Sequence, residues 1–300
     1  MGVMVSSDFA KLLWPGLNSI YGKAYAEHNT QYTDLFDMMG STKAYEEDLG
    51  VSSFGLAAAK GESSPIAYDE ENQAFLTRYQ HVVYALGFIM SRELYEDDQY
   101  ATVGQRRAKA LAFSMRQTKE TVAANVYNRA FDSSYTGGDG KEMCATDHPN
   151  WSGGTWSNEL TTAADLSEAS LEQACIDIAK WTNDRGLKIA VQPEDLIIPP
   201  DLMFEAERIL ESPYRVGTAN NDINALKGKI KGIKVNNYLT DSNAWFLRTN
   251  APDGLKGFQR RAMQFGIDND FDTENAKFKA TERCSFGWTD PRGIFGSPGA

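Results

Sequence analysis

The longest regular hydrophobic pattern in the chain runs from Thr102 to Phe131. Apolar residues recur there at steps of three or four, proline is absent, and Gly104 is the only glycine. This period is that of an amphipathic helix, and about 30 residues rising about 1.5 Å each would span about 45 Å. The pattern therefore predicts one long spine helix that crosses a whole domain.

The first 42 residues have helical spacing but too little apolar surface to form a core of their own. The spacing is interrupted at Trp14-Pro15-Gly16, which predicts two short helices. Two short elements cannot bury their own apolar faces. We therefore predict an arm that packs on the body or, as we favour, on another subunit.

A long β-hairpin is predicted after the arm. Residues 45–54 and 67–90 read as strand around a small, polar tip from Ala57 to Pro65. The return strand over 74–89 would reach about 50 Å, well beyond the usual strand. Its faces are of mixed polarity, and a two-stranded ribbon is marginal alone in water. We predict that it rests on a neighbouring surface.

Beyond residue 164 the pattern changes to short strands that alternate with helices, which predicts a mixed α+β (α/β) fold. Ser167 is a predicted cap of a helix that ends near Gly186. A helix from Asp201 and a short one over 221–228 are also predicted. The predicted strands are 187–191, 196–198, 229–235 with a bulge at Gly232, 244–247, 258–264 and 275–286.

Charge is distributed unevenly along the chain. The net charge of −11 over 300 residues argues against a protein whose whole surface binds nucleic acid. The predicted spine helix is the exception, because it has six cations against the single acid Glu120. These cations fit a solvated helix face and a DNA-facing surface equally well. They are Arg106, Arg107, Lys109, Arg116, Lys119 and Arg129.

Compartment and membrane signals are simple to read. Three cysteines at wide spacing fit reduced thiols inside a cell better than a disulfide framework. The N-terminus lacks the basic and apolar regions of a secretion signal. The most apolar stretch, from Val82 to Met90, is far shorter than the roughly 20 residues that a membrane helix needs. We predict an intracellular protein that does not span a membrane.

Motifs for catalysis, metals and cofactors are absent from the sequence. Cys144 and His148 offer one thiol and one imidazole, whereas a zinc site needs four ligands, so a loop Cys and a His in a turn is the simpler interpretation. Phosphate-loop, dinucleotide and nucleophile-elbow motifs do not occur. Histidine is scarce, and no particular carboxylate pair stands out. We assign no catalytic, cofactor-binding or metal-binding residue and expect no cofactor.

Three motifs carry a resemblance to a known family. They are Cys144-Ala145-Thr146-Asp147-His148-Pro149 with Ser152-Gly153-Gly154-Thr155-Trp156-Ser157-Asn158, then Asp195-Leu196-Ile197-Ile198-Pro199-Pro200-Asp201-Leu202, and Glu282-Arg283-Cys284-Ser285-Phe286-Gly287-Trp288. Together with the order of predicted elements, these motifs resemble the major capsid proteins of tailed phages, in particular the major head subunits of Mu-like phages.

The resemblance implies the Hong Kong 97-type capsid fold and a division of the chain. Residues 1–42 would be the N-terminal arm, 43–82 the extended loop and 83–163 a peripheral domain with the spine helix at about 102–131. Residues 164–254 would be the axial domain, and 255–300 would return to the peripheral domain as C-terminal strands. In that family the axial domain gathers around capsomer axes, while the arm and the loop lie over neighbouring subunits.

The same resemblance implies a non-enzymatic shell protein of the virion, assembled in the host cytoplasm. Its copies would form hexamers and pentamers of an icosahedral or prolate shell around double-stranded DNA. Scaffolding, portal and decoration proteins would be partners, and no membrane is involved. Because the sequence begins almost at the arm, we expect a separate scaffolding protein or a removed leader. The alternatives are an encapsulin-type cargo compartment and, in another class, a cytoplasmic α/β enzyme that uses carboxylates.

Overall fold

Two four-stranded sheets, a projecting hairpin and four longer helices make up the described part of the chain. The computed structural model describes residues 7–91, 93, 100–215, 222–269 and 275–300. In chain order the elements are α1 (Ser7–Glu27), α2 (Tyr32–Leu35), β1 (Asp37–Gly40), β2 (Tyr45–Val51), β3 (Gln73–Gln80), β4 (Val82–Met90), α3 (Tyr100–Asn128), β5 (His148–Pro149), β6 (Thr155–Trp156), α4 (Glu168–Lys180), β7 (Pro193–Ile198), α5 (Met203–Glu211), β8 (Gly232–Val235), β9 (Trp245–Thr249), β10 (Leu255–Asn269), β11 (Ala276–Trp288) and β12 (Ile294–Ser297).

The first sheet has the strand order β1-β10-β11-β4. β1 runs parallel to β10, and the other pairs are antiparallel. The register of β10 against β11 shifts between Gln259 and Gln264, a bulge that bends the long hairpin. Helices α1 and α3 pack on one face of this sheet, where Phe265, Phe278 and Ala280 are buried.

The spine helix is α3, and the prediction of one long helix is confirmed with bounds two to three residues earlier than expected. Ala108, Leu111, Ala112 and Met115 are buried against the arm and the sheet, as an amphipathic stripe requires. In its second half the buried stripe is rotated from the predicted one. Lys119 lies on the buried side there.

The arm differs from expectation in two ways. α1 continues through Pro15 as one helix, although proline removes one backbone hydrogen bond. Leu17, Tyr21 and Ala24 form a stripe at helical spacing and are buried against the chain's own spine helix and sheet. The ring of Tyr21 stacks on Phe265 at 4.7 Å. The prediction that the arm packs on another subunit is therefore wrong for this part of the arm, because its apolar stripe completes its own core.

The predicted return strand of the hairpin is two strands, not one. β3 pairs with β2, whereas β4 pairs with β11 in the first sheet, and only His81 separates them. The hairpin of β2 and β3 therefore begins where the sheet ends. Its ladder closes at Ser52 and Asn72, joined by a backbone hydrogen bond of 2.9 Å.

The second sheet has the order β12-β9-β7-β8. Ser167 caps α4 in a reciprocal capping box with Ser170, which confirms the predicted helix start. β7 is apolar on both faces because Leu196 and Ile198 enter one core while Ile197 enters another. Residues 255–300 divide between the sheets: β10 and β11 belong to the first, but β12 pairs with β9, unlike the expectation that all of them return to the peripheral domain.

Three local predictions are wrong. Residues 187–191 do not form a strand, because Ala190 has a left-handed φ of 52° that interrupts extended backbone. Residues 225–229 form turns in place of the helix predicted over 221–228, since the Asn224 side chain accepts a hydrogen bond from the Leu226 N–H. Gly232 is not a bulge but the first residue of β8.

The chain crosses between the two sheets more than once, and two crossings touch. The segment from β9 to β10 contains Gly254, and the segment from β11 to β12 contains Gly293. A Cβ atom placed on Gly254 would lie 2.7 Å from the Gly293 Cα, closer than real contacts allow. Only glycine at these positions lets the two crossings lie side by side.

Candidate assembly and nucleic-acid surfaces

The extended loop, whose β2–β3 hairpin covers residues 45–80, presents an unusual amount of apolar surface. Tyr68 is 93% exposed and Leu56 is 87% exposed, far from any core. A patch of this kind usually marks a protein contact, and the two-stranded ladder below it is too small to be stable alone. The exposed large apolar residues of the loop are Tyr45, Leu49, Val51, Phe54, Leu56, Ile66, Tyr68 and Leu76.

The root of this loop is held firmly to the first sheet. Lys256 forms an ion pair with Asp48 of β2, and the Thr289 hydroxyl donates to the same carboxylate at 2.8 Å. Burial alone would raise the pKa of Asp48, but the hydrogen bonds from Lys256 and Thr289 lower it overall. The Tyr79 hydroxyl lies 2.7 Å from the Thr289 hydroxyl. The loop is therefore fixed at its base and exposed toward its tip.

A cleft of about 540 Å³ separates the loop from the body. Leu49 and Phe75 line it from the loop, and Trp156, Ile189 and Val191 line it from the body. Its volume and apolar lining are within the range of ligand-binding sites. Whether it could support catalysis depends on how its carboxylates are arranged.

Those carboxylates are engaged in structural contacts. Burial raises the pKa of Asp290, and the neighbouring Arg292 partly opposes that rise. Asp290 accepts from the Arg292 backbone N–H at 2.9 Å and caps the turn at 291–293. The Arg292 guanidinium also lies 3.6 Å from Asp184. This arrangement holds a turn in place and supplies no paired acid and base.

Strand β4 is a second exposed apolar surface, which the sequence analysis did not recognise. Within the described residues no strand pairs with its outer edge. Val82, Val83, Leu86 and Ile89 are each about half exposed. Natural edge strands are usually protected by charge or proline, and β4 has neither. The available signal was the uncharged run from Val82 to Met90, which we used only to test for a membrane span.

The six predicted DNA-facing cations do not form one surface. Arg106, Arg107 and Lys109 are exposed near the start of the spine helix, and Arg129 is exposed near its other end. The Arg107 guanidinium donates to the Ile89 carbonyl at 2.9 Å, and that of Arg129 lies over the Tyr135 ring at 4.3 Å. The exposed cations near the helix start are named the basic patch: Arg106, Arg107 and Lys109.

Arg116 and Lys119 are buried beneath the arm, so the interpretation of these two as DNA-facing is wrong for the subunit described here. The Lys119 amine donates to Glu282 at 2.6 Å, and both side chains are almost fully buried. The Arg116 guanidinium donates to the Tyr25 carbonyl at 3.1 Å and lies over the Tyr25 ring. Internal partners for both cations leave nothing for a phosphate to reach.

The neighbouring acid, Glu120, completes this attachment of the arm. It accepts hydrogen bonds from the backbone N–H groups of Gln31 at 3.1 Å and Tyr32 at 2.8 Å. Burial raises the pKa of Glu120 despite these bonds. The spine helix therefore uses its charged residues to position the chain between α1 and α2.

The Cys144 to Asn158 motif forms a buried polar network centred on Asn158. His148 lies between two partners, with Nδ1 at 2.6 Å from Asp139 and Nε2 at 3.1 Å from the Asn158 side-chain oxygen. Burial raises the pKa of the Cys144 thiol well above its usual range. The motif that helped to indicate the family thus joins the end of the spine helix to the C-terminal segment, and the loop interpretation of Cys144 and His148 misses this burial.

The thiols, the potential metal ligands and the hydropathy of the helices change this description of the surfaces little. The three cysteines are free, and burial raises the pKa of Cys284 to about 12. Among the described residues, no three histidine, cysteine or acidic side chains are grouped to hold a metal. No helix in the described part of the chain is both long and apolar enough to cross a membrane.

The fold is that of known shell proteins. A virus-like particle protein from Pyrococcus furiosus matches with a TM-score of 0.56 at 11% identity, covering 94% of this chain and 98% of that chain. The procapsid protein of bacteriophage JBD30 matches with a TM-score of 0.53 at 13% identity, covering 97% of this chain and 75% of that chain. The structure from Mycobacterium phage Patience matches with a TM-score of 0.55 at 12% identity, covering 95% of this chain and 86% of that chain. These similarities identify the mixed α/β fold as the Hong Kong 97-type capsid fold.

Sequence comparison gives the family directly. No curated protein matches the chain significantly. A family model described as phage capsid protein matches residues 75–296, well over half of the chain. This range includes the spine helix, the three motifs on which the resemblance rests, and every strand of the two sheets except β1 and the last residue of β12. The chain therefore belongs to the phage capsid protein family, and it is a structural component of the virion rather than an enzyme.

Proposed function

We propose that this chain is the major head protein of a tailed phage, and that its copies form the hexamers and pentamers of a closed icosahedral or prolate shell around double-stranded DNA. The observation that supports this most is the extended loop, which is fixed at its root and apolar toward its tip. The exposed apolar surface of such a loop is stabilised only when another protein surface covers it. A neighbouring copy supplies that surface in a shell.

The division into functional parts follows from the same proposal. Residues 1–42 act as the arm, 43–82 as the extended loop, 83–163 as the peripheral domain and 164–254 as the axial domain. Of residues 255–300, β10 and β11 return to the peripheral domain, while β12 pairs with β9. Assembly takes place in the host cytoplasm. Scaffolding, portal and decoration proteins contact the shell, while packaged DNA contacts the basic patch without sequence preference.

Shortening the loop tests the assembly role. Replacing residues 54–70 with a short Gly-Ser linker removes the exposed tip beyond the Ser52 and Asn72 closure. We expect a folded subunit, because the ion pair that joins this segment to the body, Asp69 with Arg185, is partly exposed, and exposed pairs of this kind contribute little to stability. We expect no closed shells by electron microscopy and small species by sedimentation.

The matched control for the loop is Lys60→Ala, which changes one exposed tip residue and keeps the apolar ones. It should assemble like the wild type. Shells of normal size from the shortened loop would contradict the proposed role. If wild-type shells contained protein cargo and no nuclease-protected DNA, the cargo-compartment alternative would replace a genome container.

Neutralising the basic patch tests the DNA contact. In the triple variant R106Q/R107Q/K109Q we expect weaker DNA binding that is uniform across sequences. The salt dependence of binding should become weaker by the equivalent of about three phosphate contacts, because each cation that contacts a phosphate releases about one counterion. The measurement is the slope of log affinity against log salt.

The control for the basic patch is Arg208→Gln, which removes an exposed cation on α5 that lies in another part of the fold. Its salt slope should match that of the wild type. An unchanged slope in the triple variant would mean that these cations only solvate the helix.

A further inference from the structure

The extended loop joins the body through two connections, residues 41–44 between β1 and β2 and the single buried residue His81 between β3 and β4. His81 lies between β3, which belongs to the loop, and β4, which belongs to the first sheet. It is only 5% exposed. On the β3 side, any change in the angle between loop and body has to involve this position, because β3 and β4 pair with different partners on either side of it.

Both ring nitrogens of His81 contact hydroxyl groups. Nδ1 lies 2.9 Å from the Ser285 Oγ on β11, and Nε2 lies 3.0 Å from the Ser41 Oγ that follows β1. The Ser41 hydroxyl donates its one hydrogen to Glu46 at 2.7 Å. Ser41 must therefore accept from Nε2–H, and Nδ1 must accept from the Ser285 hydroxyl. The neutral ring satisfies every one of these bonds.

The charged groups around the His81 ring have opposite effects on its protonated, positively charged form. Arg283 of β11 and Arg260 of β10 disfavour it, while Glu46 of β2 favours it. Arg283 also donates to the His81 carbonyl at 3.3 Å and to the Ala44 carbonyl at 3.2 Å. Lys43 is paired with Glu46, and the ring of Phe258, whose centroid lies 6.2 Å from that of His81, is uncharged.

Protonation of the ring conflicts with this arrangement. A second hydrogen on Nδ1 would point at the Ser285 hydroxyl hydrogen, which would have to turn away. Burial, and next the charge of Arg283, lower the pKa of His81. When the folded pKa lies below that of the exposed ring, near 6.5, the closed junction binds fewer protons than the open one. Its stability is therefore complete above about pH 6.5 and decreases as the pH falls.

We propose that His81 is a proton-sensitive junction that locks the extended loop to the first sheet when neutral and favours release of the loop when protonated. This regulation gives the loop of one copy two positions relative to its own body. Its meaning for a shell rests on the proposed function, but the switch belongs to the single chain and can be measured there.

Hydrogen exchange of the dilute, unassembled chain tests the switch. Backbone amides of β2 and β3 are compared at pH 7.5 and 5.5, after correction for the intrinsic pH dependence of exchange. We expect their protection to fall at pH 5.5 by up to about tenfold, the limit for one proton over the pH unit below 6.5. Protection of β10 and β11 should not change in the same way.

Side-chain variants separate His81 from other titrating groups. His81→Gln cannot titrate and should remove the pH dependence, whereas His28→Gln on the arm should keep it. The chain has three histidines, so ring resonances can be assigned by NMR from these variants. The midpoint of the His81 ring should lie below 6.5.

Two further variants should shift that midpoint in opposite directions. Ser285→Ala removes the donor that stabilises the neutral ring, so the midpoint should rise. Glu46→Gln removes the carboxylate that favours the cation, so it should fall. Equal loop protection at both pH values, the same loss in His81→Gln, or shifts of the same sign in these two variants would each overturn the switch. Normal shell assembly with any of those results would leave the proposed function intact.

Discussion

Replacing Asn158 with alanine is expected to lower the free energy of unfolding by about 3–5 kcal/mol, because it removes the centre of a buried hydrogen-bond network. The side-chain oxygen accepts from the Ala145 N–H at 2.8 Å and from the His148 ring. The side-chain nitrogen lies 2.8 to 3.2 Å from three carbonyls, those of Met143, Pro291 and Ile294. Each of these groups would stay buried without that partner.

The measurement is urea unfolding of the unassembled chain. Asn158→Asp should be at least as damaging, because it places a carboxylate oxygen against the three carbonyls where an NH₂ group now donates. Asn237→Ala is the matched control, since Asn237 is exposed, and it should change stability by less than about 0.5 kcal/mol. A wild-type urea midpoint for Asn158→Ala would show that the network carries no net stability.

Replacing Lys119 with methionine is expected to cost about 3–5 kcal/mol, because it leaves the Glu282 carboxylate buried without its cation. Glu282 is only 2% exposed. Among the described residues, it keeps the Tyr25 hydroxyl at 3.1 Å and the Gln259 amide at 3.0 Å as donors. Neutral donors compensate a buried charge poorly, so the loss exceeds that of an exposed ion pair.

The double variant K119M/E282M distinguishes a broken ion pair from lost packing. Replacing both charges by apolar side chains of similar size is often neutral or stabilising. We therefore expect the double variant to be more stable than Lys119→Met alone in urea. Strictly additive losses would mean that Lys119 acts through its aliphatic stem. Lys109→Met, on the exposed side of the same helix, serves as the control and should be near neutral.

The Lys119 pair also shows where sequence reasoning stops. The spine helix, the Ser167 cap and the buried strand β7 are set by local spacing, and local spacing was sufficient to predict them. Lys119 was assigned to the polar face because its partner, Glu282, is 163 positions away in the chain. No periodicity over a few turns of helix contains that information.

The same limit explains the other corrections. Ala190 takes a left-handed conformation that its sequence neighbours do not require. α1 continues through Pro15 because Leu17 and Tyr21 find a surface on a helix about 90 residues away. The split at His81 follows from the different partners of β3 and β4, which the uniform strand pattern of 67–90 does not distinguish. The candidate surface on the extended loop was predicted, because it depends on the exposure of the loop. The surface on β4 was missed, because it depends on which strand lies at the edge of the sheet.

The paired crossings at Gly254 and Gly293 have a mechanical consequence. Three covalent connections join the two sheets: the segment after the spine helix, the one from β9 to β10 and the one from β11 to β12. Outward pressure on a closed container stretches its wall, and tension between the sheets is then shared by parallel connections instead of acting on one. A shell built from such subunits resists rupture within each subunit, so failure under load should begin at the interfaces between subunits.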